Sequence, residues 1–154
     1  MSHSTRRHLL KVALLGLTAS AVSLGAALPA TAATAAFTPK GTYTGSYQST
    51  DGHGTGKFTF KVSSAKPGPN NSFQIKGTVK LGKNSLKVLV GTVVPNPEGG
   101  WIIGAPMFNS KATVLGGIDL LLNPADNTFT GDYQLVTRDN QPIDGGTLSG
   151  NKGR

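Results

Sequence analysis

Cysteine is absent from the 154 residues, which excludes disulfides, thiolate metal centres and thiol nucleophiles. A small domain without covalent staples must be held by packing and strand pairing alone. Glutamate occurs once, at Glu98, and tryptophan once, at Trp101. Past residue 8 the only histidine is His53, and past residue 7 the only arginines are Arg138 and Arg154. Beyond residue 35 no apolar run approaches the ~20 residues that cross a bilayer, so no stable membrane span is expected there.

These scarcities narrow the chemistry. Nucleophilic catalysis needs a nucleophile, a base in reach and a group to orient it. The one candidate base, His53, lies in the turn Asp51-Gly52-His53-Gly54, where little would hold it in place. Asp51 and His53 offer a metal two ligands, whereas zinc takes three or four. The stretch Asp126 to Asp132 lacks the oxygen density and terminal Glu of a calcium loop. No second acid stands ready to pair with Glu98 for glycosidase chemistry, and no phosphate-binding glycine fingerprint precedes a helix. Asp119, set among Ile118, Leu120, Leu121 and Leu122, reads as a solvent-facing acid on an edge strand. We assign no catalytic residue, metal ligand or cofactor, and the reading leans away from an enzyme.

What the chain does have begins at its N-terminus. Ser4-Thr5-Arg6-Arg7-His8-Leu9-Leu10-Lys11 resembles the twin-arginine export consensus, with Leu9 where phenylalanine is more frequent. Val12 to Leu28 is moderately apolar, Pro29 follows, and Ala30-Thr31-Ala32 and Ala33-Thr34-Ala35 are alternative cleavage sites. Residues 1–35 are expected to be a cleavable signal peptide, with cleavage after Ala35, and residues 36–154 a single domain. The resemblance implies the twin-arginine translocase and a signal peptidase as partners, and a periplasmic, cell-wall or extracellular destination in a bacterium. An ordinary Sec signal and an uncleaved anchor are the alternatives.

Beyond residue 36, period-two alternation dominates and helical periodicity is nearly missing. Tyr43, Gly45 and Tyr47 alternate with Thr44 and Ser46. Phe58, Phe60 and Val62 alternate with Lys57, Thr59 and Lys61, and Phe73, Ile75, Val79 and Leu81 with Gln74, Lys76, Thr78 and Lys80. Leu86 to Val93 is apolar on both faces, so a cover for the second face is expected. Shorter strands are expected at Trp101 to Gly104 and Gly145 to Ser149, and longer ones at Ala112 to Leu122 and Thr128 to Val136. Gly116-Gly117 suggests a bulge or a sharp bend. Turns rich in Gly, Pro, Asn and Asp separate these segments. The predicted fold is all-β: a small antiparallel up-and-down barrel of about eight strands, because closure removes exposed edges. A two-sheet sandwich is the alternative.

Thr42-Tyr43-Thr44-Gly45-Ser46-Tyr47-Gln48 returns as Thr128-Phe129-Thr130-Gly131-Asp132-Tyr133-Gln134. This glycine-x-tyrosine strand rhythm is similar to that of avidin and lipocalin-like eight-stranded barrels. Gly54-Thr55-Gly56-Lys57-Phe58 resembles glycine-rich turns of allene oxide cyclase-like barrels. These likenesses imply a barrel that could hold a small hydrophobic molecule, with Tyr43, Tyr47 and Tyr133 as its interior contacts.

Charge is uneven. Phe37 to Val93 holds eight lysines and one acid, Asp51, while Val94 to Arg154 holds four basic and six acidic residues. Lys57, Lys61, Lys76 and Lys80 share the outward phase of neighbouring strands, and Lys87 joins them. They form a candidate surface for an anionic polymer or surface, with a merely solubilising face as the plainer reading. Scarce arginine argues against nucleic acid. The expected function is a non-catalytic binding or structural module; the alternative is a small isomerase- or cyclase-like enzyme, or a carrier.

Overall fold

The computed structural model describes residues 37–153. The export motif at Arg6 and Arg7 and the cleavage site at Ala35 lie outside the described residues. Eight strands follow one another: β1 (Gly41–Ser49), β2 (Thr55–Pro67), β3 (Phe73–Leu81), β4 (Asn84–Pro95), β5 (Trp101–Phe108), β6 (Val114–Asn123), β7 (Thr128–Thr137) and β8 (Pro142–Lys152). Each pairs antiparallel with the next, and β1 pairs with β8, closing the barrel. No helix occurs among the described residues.

Alternation places the core. Phe58, Phe60 and Val62 from β2, Ile75, Val79 and Leu81 from β3, and Ile118, Leu120 and Leu122 from β6 all point inward and are buried. Each intervening residue faces out, as the pleat requires. The interior is apolar and the outside carries Lys and Asp, the reverse of a membrane-spanning barrel.

The sequence echo has a structural meaning. β1 and β7 flank β8, so its two copies run side by side with β8 between them. Equivalent rings meet: Tyr43 and Phe129 at 6.1 Å, and Tyr47 and Tyr133 at 5.7 Å, both edge to face. Such pairs add stability beyond their burial. The Tyr43 and Phe129 rings reach each other because Gly150 of β8, opposite both Gly45 and Phe129, leaves the backbone bare beside them.

Five expectations need correction. β5 extends to Phe108, and β8 spans Pro142–Lys152. β6 keeps regular register through Gly116 and Gly117, with no bulge. Asp119 does face solvent, opposite Asp132, but a closed barrel gives it no edge strand. On β4 nothing among the described residues covers the second apolar face: Leu89, Val90 and Val94 are exposed. The cause is a register shift against both β3 and β5, which turns consecutive residues outward.

Candidate functional site

The flank formed by β2, β3 and β4 is the most organised part of the outer surface. Thr55 to Pro95 contains seven lysines and no acid. Register links five of them. Lys61 faces Thr78 and Lys80 faces Thr59, so Lys61 and Lys80 are diagonal neighbours. Lys57 lies two residues from Thr59, placing it diagonal to Lys80 on the other side. Lys87 faces Thr78 across the β3–β4 ladder, and Lys80 faces Ser85, so Lys87 is also diagonal to Lys80. Lys76 faces Ser64 beyond a bulge in β2. Diagonal positions are ~7–8 Å apart, within one Debye length at physiological salt. All five lysines are exposed.

Hydroxyls fill the squares between them. Thr44 faces Thr59, Ser46 faces Lys57, and Thr78 and Ser85 complete the pattern. Ammonium groups supply attraction and hydroxyls supply donors, so the flank suits phosphate or carboxylate oxygens without dictating their spacing. The β6–β8 flank is different: Asp119 and Asp132 stand directly opposite each other there.

The three predicted interior contacts belong mostly to the core. Tyr43 is fully buried and its hydroxyl donates to the Pro39 carbonyl at 2.9 Å. Tyr133 is buried too, and Tyr47 is half-buried against the core. The Tyr43, Phe58, Phe60 and Phe129 rings pack against one another at 5.5–6.1 Å across the lumen. These rings fill the part of the lumen bounded by β1, β2 and β7.

One polar cluster was not expected from sequence. At the barrel end where β1 stops, the Asp144 carboxylate accepts from the Ser49 hydroxyl at 2.5 Å, the Tyr133 hydroxyl at 2.8 Å and the Gly145 N–H at 2.9 Å. Ser49 Oγ in turn accepts the N–H groups of Asp51 and His53. A serine beside a carboxylate invites a catalytic reading, but this carboxylate is already held by three donors, and among the described residues no imidazole hydrogen-bonds to the serine. The His53 ring is exposed, contributing only its backbone. No trio of His, Asp or Glu able to hold a metal occurs among the described residues. The cluster clasps the β1–β2 turn to β8. No local pattern points to this contact, because Ser49 and Asp144 are 95 positions apart.

Burial pushes the Tyr43 phenol well above its ordinary value of 10.0. For Tyr133 burial acts first, reinforced by the Asp144 hydrogen bond and charge. Raised phenol values favour the neutral, folded form, so this stability is fully present below pH 10 and is lost as pH climbs above it. Urea midpoints are expected to be flat from pH 7 to 9 and to fall above pH 10. Tyr43→Phe should be destabilised by about 1 kcal/mol at neutral pH through the lost hydrogen bond, yet fall less steeply at high pH. An alkaline slope identical to the parent's would mean Tyr43 is not responsible.

At the opposite end, Phe37 stacks on Trp101 at 4.3 Å and Phe73 meets both rings. With Pro67 and Pro95 they border an open hollow of about 520 Å³. These rings cap the core at the barrel mouth. Comparison with protein-family models, curated proteins and solved structures returned no match for this chain.

Proposed function

We propose that this domain is a non-catalytic binding module, exported from the cytoplasm, that adheres to an anionic polymer or surface through its β2–β4 flank. The observation that carries this reading is the lysine–hydroxyl pattern that runs across three paired strands, with no carboxylate in the segment that builds it. A solubilising surface usually mixes both charge signs. The packed lumen supports the same reading, because it weighs against an enzyme or carrier with its substrate inside the barrel. The test is retention on an anionic matrix across a salt gradient, comparing the parent with a variant in which Lys57, Lys61, Lys76 and Lys80 are glutamine.

Export is a separate part of the proposal and rests on Arg6, Arg7 and the Ala-x-Ala run ending at Ala35. Exchange of both arginines for lysine is expected to stop export by the twin-arginine route. The exported parent should begin at Ala36 by N-terminal sequencing. Undiminished secretion of the lysine variant would point to a Sec signal instead.

A further inference from the structure

Midway along β4, Leu89 and Val90 are consecutive and are 55% and 56% exposed. Alternation would send one of them inward. Gly77 pairs with Val88 and Ile75 with Gly91, so Lys76 alone stands against both Leu89 and Val90. The same surplus appears against β5, where Val88–Gly91 runs past only Ala105–Met107. Pro106 sits at that break and is exposed; it has no N–H to give a ladder. A bulge of this kind re-aims side chains, and here it pushes two branched apolar ones out of the barrel wall.

Their surroundings are specific. Leu89 and Val90 border a shallow cleft of about 210 Å³ with Ser64, Lys66, Gln74 and Lys76. Lys87 precedes Leu89 by two positions on the same strand. The other outward positions nearby are hydroxyl residues, Thr78, Ser85 and Thr92, so the apolar pair interrupts an otherwise polar flank. The remaining exposed apolar row, Val94, Ile102 and Leu121, is a set of cross-strand partners next to Asp119. It has no lysine collar.

A soluble or wall-bound polyanion would satisfy the lysines and leave Leu89 and Val90 in water. An anionic bilayer satisfies both, with phosphates at the surface and an acyl boundary ~5–10 Å below the headgroups. Polybasic attraction is weak for each lysine, and apolar insertion of two side chains is weak alone; stable peripheral binding uses both signals. We propose that the partner of the β2–β4 flank is an anionic lipid bilayer, on which the barrel lies on its side with Leu89 and Val90 inserted among the headgroups. This rests on the lysine-flank reading and adds the identity of the surface.

The test compares two probes, vesicles of equal phosphatidylglycerol and phosphatidylcholine, and a polyphosphate resin. All forms carry residues 1–154, so any contribution of the N-terminal segment is common to them. Leu89→Ser combined with Val90→Ser is expected to reduce vesicle partitioning by about tenfold or more while leaving resin retention unchanged. Because the chain has no cysteine, Val90→Cys can carry a single environment-sensitive fluorophore. It should shift to the blue on vesicles and be shielded from aqueous iodide, whereas the same label at Thr130→Cys should stay quenchable. Parental vesicle binding by the serine variant, or equal quenching at positions 90 and 130, would overturn the bilayer proposal. Resin retention lost with the lysines would in that case still uphold the flank. A parent that binds neither probe would overturn both.

Discussion

Gly131→Val is expected to destabilise the barrel by about 3 kcal/mol, the upper part of the range for overpacking. For a domain of this size that lowers the melting temperature by about 10–15 °C. A Cβ at Gly131 would fall far inside van der Waals contact of the Asp119 carbonyl oxygen and close on Leu120 Cα. Both are backbone atoms of β6, which cannot swing aside as a flexible side chain could. Gly45→Val should behave alike, because its Cβ would drive into Ser149 and Gly150 of β8. The matched control is Gly117→Ala, where the nearest atom to the added carbon is the Ala105 oxygen at 4.0 Å. Its melting temperature should stay near the parent's. Similar melting of all three variants would show that close strand approach is not what these glycines serve.

Replacing Lys57, Lys61, Lys76 and Lys80 with glutamine is expected to cut retention on an anionic matrix on the order of a thousandfold. The figure follows from about 1 kcal/mol for each lysine near an anionic surface and a tenfold change per 1.4 kcal/mol. Parental retention should itself fall steeply between low and physiological salt, where the Debye length is ~8 Å. Since all four side chains are exposed, melting should be unchanged or slightly higher once their mutual repulsion is gone. Removing three positive charges elsewhere, at Lys40, Lys111 and Arg138, should cost far less. Equal losses in the two variants would reduce the flank to its share of net charge.

Strand number, closure and the outward phase of the lysines were legible because alternation is a local signal. Phe58, Phe60 and Val62 declare their face within five residues. The diagonal lysine pattern was only half legible, since phase puts lysines on one side while register decides whether they meet. Register also defeated the reading of β4. Consecutive outward residues come from an extra residue relative to β3 and β5, and nothing inside Leu86 to Val93 announces it. The Asp144 clasp was invisible for a related reason, because it joins Ser49 to β8 across the closing seam.

That seam also governs when the fold can be finished. Of the eight strands described, β1 leaves the ribosome first and β8 last, and each needs the other as a partner. Until Pro142–Lys152 emerges, β1 and β7 both present open hydrogen-bonding edges, the condition in which nascent β-chains pair wrongly with one another. Domains that fold in stages during synthesis escape this exposure, but a single ring has no closed intermediate. The β1 and β7 edges therefore stay unpaired until β8 has emerged and docked between them, and only then does the ring close.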